Sequence, residues 1–419
     1  MVTRRFAQVM LALAAMVLLL GLATSVKPVV VHADAATEGN APVQAGASEP
    51  SSSARQMLQR AAQEQLDDLP TESITKFWTQ LEQEYGGYLP EASGTGLIRS
   101  ILDNGGVNFR GFTAGLLHYF FHEVMGNLRI LGSILILAVL AAVLESMQTA
   151  FERQVVSQVA YAMIFLVLMI LAIGSFTQAM GYAQHAIHTM TDFMLATVPL
   201  AVTLLAASGA PASAAFFHPV LLFAVHLISN LVFLLVFPLI FFAAVLDIAS
   251  ALSPRYRLTR LAGLLRTVGV GVLGMSLTVF LGIASVQGLG RGIADGVALR
   301  TAKFAVGTFV PVIGKALSDA AETVVSASLL VKNAVGIAGL VIVACIAVFP
   351  ALKILALAFI YNGSAALMQP LGDNPMIQCL GALSKSLILV FASVAAVALM
   401  FFMFICILLA AANVAVVMA

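Results

Sequence analysis

Lys315, Asp319 and Glu322 lie four and then three residues apart in the stretch Pro311–Glu322. A helix would set them on one face as an ion-pair network. Ionisable groups beside a bilayer are costly enough to imply a role in a pathway; the plainer reading is an interfacial helix with solvated charges. Lys353 follows Pro350 inside an otherwise apolar run, where its ammonium either snorkels to the interface or pairs with Asp319, Glu322 or Asp247. Pro199 and Pro311 each interrupt a short apolar run. Broken apolar segments in corresponding places of two repeats are where many transporters build a substrate or ion site. Pro199, Pro311, Lys315, Asp319, Glu322 and Lys353 are therefore the candidate pathway residues.

Other constellations carry less. His185, His188 and Asp192 fall at i, i+3 and i+7, a metal-compatible spacing that no fourth ligand completes. His118, His122 and Glu123 lack the spacing of a zinc-protease helix, which needs histidine where Gly126 stands. Gly269, Gly271 and Gly274 match a dinucleotide fingerprint only formally, since no strand precedes them. They and Gly288, Gly292 and Gly296 read as helix-packing surfaces. His218 and His226 read as structural polar residues of the bundle, and Cys345, Cys379 and Cys406 as packing residues. The expectation is a chain with no catalytic residues, no metal and no cofactor.

The elements that must position these residues follow from composition. Of 419 residues, 61% are hydrophobic and 10% charged, and the mean hydropathy is +1.01; a soluble domain is about 25% charged. The chain is an integral membrane protein. Lys+Arg 21 against Asp+Glu 20 leaves a net charge of +1, without the basic excess that nucleic acid binding needs. Arg4 and Arg5 before an apolar run, then Val31–Ala35 with small-residue cleavage sites, predict a signal peptide over 1–35; an uncleaved first anchor is the alternative. Residues 36–54 predict a flexible linker. Residues 55–127 predict an extracytoplasmic and interfacial helical region, with two amphipathic helices split by Pro70. Leu58, Ala62, Leu66 and Leu69 form the apolar face of the first, and Ile74, Phe77, Trp78, Leu81 and Tyr85 that of the second.

The membrane part opens with a two-span hairpin over 128–176. Met194–Ala207 follows, with 14 residues too short to cross a core of about 30 Å. Phe216–Ser250 has 35 residues with Pro219 and Pro238, so it must kink, tilt or break. Leu264–Gly288 is an ordinary span. The order then recurs as Phe304–Leu317, Ala334–Asn362 and Leu387–Ala412. Pro199 and Pro311 are 112 residues apart, as are Phe237-Pro238 and Phe349-Pro350. At an offset of 119, Leu261–Thr267 matches Leu380–Ser386, with Arg266 over Lys385 and Thr267 over Ser386. These matches predict an internal duplication, repeat A over 194–288 and repeat B over 304–412. Arg255, Arg257 and Arg260 mark a cytoplasmic loop, which makes the short segments re-entrant and leaves the carboxyl terminus outside. Arg291, Arg300 and Lys303 then also lie outside, offset by Asp295. The expected fold class is an all-α polytopic membrane protein of about six full transmembrane helices plus two re-entrant, Pro-broken segments.

Two stretches resemble the stage III sporulation protein AE family: Glu123–Leu140, and Pro311–Ala320 followed by Ser328–Gly339. The similarity runs from about Arg55 to the last span, together with the signal peptide. The resemblance implies a role in endospore development after engulfment, in the mother-cell membrane around the forespore. It also implies partners: other stage III sporulation A proteins, namely a secretion-type ATPase, small membrane subunits and ring-forming proteins, with a forespore protein across the gap. The assembly is a secretion-like transenvelope channel, for which the family supplies no catalytic residues. The repeat and its prolines, taken alone, instead favour a self-sufficient, permease-like secondary transporter.

Overall fold

The computed structural model describes residues 52–67, 69–89, 94–104, 109–150, 154–208, 211–252, 258–282, 314–371 and 375–418. The predicted signal peptide, most of the predicted linker, Arg255, Arg257, Gly288–Lys303 and Pro311 lie outside them.

Among the described residues every regular element is helical. Four short helices come first: α1 (Ser52–Asp67), α2 (Glu72–Tyr85), α3 (Gly94–Asn104) and α4 (Phe109–Gly126). The long ones follow: α5 (Leu128–Ala150), α6 (Gln154–Ala207), α7 (Pro211–Leu231), α8 (Phe237–Leu252), α9 (Thr259–Gly282), α10 (Gly314–Met368) and α11 (Pro375–Met418). Six stretches are long and apolar enough to cross a membrane: Thr113–Ala141, Val159–Ala207, Leu222–Ala251, Thr259–Gly282, Val324–Met368 and Pro375–Ala410. They overlap the six expected spans, although the first begins earlier than expected, in α4. There Asn127 separates α4 from α5, and its Nδ2 donates to the Glu123 carbonyl at 2.8 Å and to Glu123 Oε1 at 3.0 Å.

The structure gives Met194–Ala207 no boundary of its own. It is the last part of α6, a helix of 54 residues with Pro199 inside. Likewise Lys315–Leu317, the described part of the other short segment that lies beyond Gly314, runs on through Pro350 in the 55-residue α10. A proline inside a helix removes one donor and crowds the preceding turn, but serine and threonine hydroxyls can cap the carbonyls left bare. Thr197 and Thr203 sit on that stretch of α6 and donate to the Phe193 and Pro199 carbonyls at 3.0 and 2.8 Å, whereas the carbonyl that Pro199 leaves without its helical donor is that of Leu195. Pro238 behaves differently. The chain turns as a π-helix over Val232–Val236 just before it, a bulge that accommodates the missing donor. Of the kink, tilt or break expected in Phe216–Ser250, the structure shows this bulge within a continuous helical stretch.

At about 1.5 Å per residue the 54 and 55 residues of α6 and α10 reach roughly 80 Å, against a hydrocarbon core of about 30 Å. Both helices therefore run well beyond the bilayer. α10 is the centre of the fold, with 94% of its most apolar window buried, against 11% for α9. It packs along α11 and α6, and α1–α5 pack on it as well. The cover is built by amphipathic patterning: Ile74, Phe77, Trp78, Leu81 and Tyr85 of α2 are all buried, as expected, while Glu72, Lys76, Glu82 and Glu84 face outward.

Candidate functional site

Two polar clusters form where these helices cross. The first joins α2, α6 and α10 around Lys353. Tyr85, at the end of α2, stacks on Phe349 of α10 with ring centroids 4.2 Å apart and planes 6° from parallel. Tyr119 of α4 meets both rings edge-on, at 5.8 and 5.0 Å. One turn beyond Phe349, the Lys353 ammonium lies 5.4 Å from the Tyr85 ring centroid and 5.3 Å from that of Tyr182. Its carboxylate neighbour is Glu84, at 3.9 Å. On α6, Gln178 Nε2 donates to the Tyr182 hydroxyl at 2.8 Å. Burial and the adjacent Glu84 carboxylate push the Tyr85 phenol well above its ordinary value of 10.0, so it stays a neutral donor. Beside this cluster a shallow cleft is lined by Gln80 and Glu84 of α2, His185 and Thr189 of α6, and Pro350 of α10, among others.

The second cluster lies between membrane helices. Arg266 of α9 pairs with Asp247 of α8 and also donates to Ser386 Oγ of α11 at 2.9 Å, with the Ala382 carbonyl at 3.5 Å. The side chains of Arg266 and Asp247 are 19% and 8% exposed. Taking such charges out of water costs several kcal/mol per ion, which the attraction and the extra hydrogen bonds must offset. Arg266 thus ties three helices together. Its Ala382 and Ser386 partners lie in Leu380–Ser386, the stretch matched in sequence to Leu261–Thr267 at an offset of 119. Further along α11, the Leu409 carbonyl accepts from Lys332 Nζ at 2.7 Å, and Lys332 is 2% exposed within α10.

The sequence candidates fare unevenly. Lys353 sits in a polar cluster, but none of its expected partners is there. Asp319 and Glu322 lie 34 and 31 residues away on the same unbroken helix, about 50 and 46 Å at helical rise, and Asp247 is taken by Arg266. Lys315, Asp319 and Glu322 do share one face of the first turns of α10, though their side chains lie outside the described residues. Pro199 is exposed on α6, far along the chain from the Lys353 cluster, and Pro311 lies outside the described residues. His185, His188 and Asp192 do line one exposed face of α6, with His188 Nε2 3.9 Å from Asp192 Oδ2. Among the described residues no three His, Cys, Asp or Glu side chains gather as a metal site. Glu84 escaped sequence reasoning because an exposed glutamate on an amphipathic helix carries no mark of its partner. Arg266 and Asp247 carried a usable signal, one charge in each of two neighbouring apolar runs.

A bundle of six membrane-length helices, one of them central, with an ion pair tying three of them and an amphipathic layer docked on the core, defines a polytopic α-helical membrane protein. The family model for stage III sporulation protein AE matches residues 93–412, and the chain belongs to that family. It is 45% identical over 374 residues to "Stage III sporulation protein AE" of Bacillus subtilis (strain 168), covering 89% of this chain and 94% of that protein. No solved structure matches. Family membership supports a role in sporulation.

Proposed function

We propose that this protein is an integral membrane component of a sporulation-specific, secretion-like channel between mother cell and forespore, needed for endospore development after engulfment. It sits in the mother-cell membrane around the forespore. The observation that carries this reading is the docked layer. α1–α3 are not a loosely tethered appendage: their apolar faces are buried on α10 and α6, and their polar faces, with Glu64, Asp67, Glu72, Glu82 and Glu84, are left exposed. Such a surface, fixed to the membrane bundle, suits the docking of further assembly members. Those are the other stage III sporulation A proteins, a secretion-type ATPase, small membrane subunits and ring-forming proteins, and a forespore partner. The reading assigns no catalytic step and no cofactor to the chain.

The test is deletion of the gene in its source organism, with a reporter of late forespore transcription, followed by complementation with a chain lacking residues 55–104. Arrest after engulfment, and failure of the truncated chain to rescue or to co-purify partners, support the reading. Heat-resistant spores from the deletion strain overturn it.

A second reading, a self-sufficient secondary transporter, is favoured by the Asp247–Arg266 pair within the membrane helices, since intramembrane charges often mark substrate paths. Uptake of solute by liposomes holding this protein alone would select it.

A further inference from the structure

The hydrogen bonds of Arg266 are unevenly shared around its guanidinium. One nitrogen, Nη2, meets the Asp247 carboxylate of α8, the Ser386 hydroxyl of α11 at 2.9 Å and the Ala382 carbonyl of α11 at 3.5 Å. Nε of the same planar group is buried and has no hydrogen-bond partner. A guanidinium that pairs with a carboxylate commonly does so as a fork, with two parallel N–H bonds. Here the group is held end-on at one point, and a buried N–H left bare costs about 1–3 kcal/mol. The fit is to a point charge and not to a fork.

Three oxygens of different kinds thus converge on the position of a single atom. A carboxylate, a hydroxyl and a peptide carbonyl are the ligands that hard cations take, and backbone carbonyls serve sodium in this way in membrane transporters. Ser386 Oγ lies 3.2 Å from the Ala382 carbonyl, which keeps the two α11 oxygens side by side. The Asp247 side chain is 8% exposed and Ser386 is fully buried, so water competes little for either. Asp247 supplies one negative charge, and a monovalent cation leaves the site neutral.

The guanidinium also has a way out. Its side chain is 19% exposed, so it enters the site from the rim. α9, which carries it, has only 11% of its apolar window buried; it leans on the bundle through Ala262, Leu273 and Phe280, with Gly269 beside Leu239 and Ile240. Long basic side chains on such a helix can turn outward to the membrane interface, as Arg260 does at the exposed start of α9.

We propose that Asp247, Ser386 and the Ala382 carbonyl form a binding site for a compact monovalent cation of the sodium kind, and that Arg266 fills it as a tethered competitor. A sodium ion takes the place of Nη2 when the arginine swings outward, and the arginine returns when the ion leaves. The charge on the buried carboxylate is balanced in both states. What a bound cation would drive rests on the transporter reading above; the site itself rests on this geometry.

The test measures radioactive sodium bound to the purified full chain in detergent, with choline chloride holding the ionic strength constant. The wild type is expected to bind sodium saturably. Arg266→Gln removes the competitor and should tighten binding at least about tenfold, because a site filled by its own arginine is open only a small fraction of the time. Sodium should also raise the thermal midpoint of Arg266→Gln relative to choline, as a ligand of the folded chain does. Ser386→Ala leaves the ion pair in place and should weaken wild-type binding; Asp247→Asn combined with Arg266→Gln should abolish it. Absence of saturable binding by the wild type overturns the proposal, and this holds even where the glutamine variant fails to fold. Binding that Ser386→Ala leaves unchanged, or that survives in the double variant, places the ion elsewhere and overturns it as well. A chain that binds sodium yet moves no solute in liposomes removes the transporter reading and leaves the site standing.

Discussion

The Tyr85 ring lies flat on Phe349, 4.2 Å away and 6° from parallel, and so fastens the last turn of α2 to the middle of the most buried helix. A contact between residues 264 positions apart in sequence is what makes the amino-terminal layer part of the membrane bundle.

Tyr85→Ala is expected to destabilise the docked layer by about 3–5 kcal/mol, the usual cost of emptying a buried aromatic site, whereas Tyr85→Phe keeps the stack. Limited proteolysis between α1 and α4 reads the difference: rapid cleavage for alanine, wild-type resistance for phenylalanine.

The raised Tyr85 phenol has a signed consequence. Its folded-state proton is held above the ordinary value of 10.0, so the unfolded chain loses its proton first as pH rises. Stability linked to this group is full below that value and falls above it. Thermal unfolding followed from pH 8 to pH 11 should show a shallower decline for Tyr85→Phe than for the wild type.

Lys353 and Glu84 are 21% and 44% exposed, so solvent screens the pair and its coupling should be at most about 1 kcal/mol. The two tyrosine rings add about 0.5–1 kcal/mol at a site this open. Glu84 also accepts from the Tyr85 hydroxyl at 2.5 Å, so the coupling term of a Lys353→Met, Glu84→Gln double-mutant cycle on thermal stability, expected at no more than about 1 kcal/mol, reads the pair rather than either single cost. A coupling well above that would show that the pair is shielded from solvent.

Breaking the membrane ion pair is a larger event. Arg266→Ala or Asp247→Ala alone should cost about 3–5 kcal/mol by stranding a buried charge and lower the amount of folded protein in the membrane. Replacing both, as Asp247→Leu with Arg266→Met, should restore accumulation. If the double variant accumulates but fails to complement a deletion strain, the pair serves the protein's activity as well as its fold.

Gly115 tests the fit of α4. A Cβ there would sit 2.7 Å from the Tyr88 carbonyl oxygen, a backbone atom that cannot swing aside. Gly115→Ala should loosen α4 from the turn at Gly86–Tyr88 and raise hydrogen exchange over residues 86–89.

Apolar run lengths in the sequence were enough to place six membrane-length helices, because about 20 consecutive apolar residues have little alternative to crossing or lining a bilayer. The inward face of α2 was equally legible: a 3.6-residue period names Ile74, Phe77, Trp78, Leu81 and Tyr85 without reference to any partner. Pro238 was readable as a local irregularity, through the loss of a backbone donor. Pro199 and Pro350 were not, since whether a helix survives its proline depends on the packing that holds it straight. Which charge meets which was decided only by tertiary structure. Lys353 finds Glu84 and Arg266 finds Asp247 because helix crossings set those distances, and an unbroken α10 carries Asp319 and Glu322 out of reach of Lys353. Periodicity acts within one helix, whereas charge pairing depends on how separate helices are brought side by side.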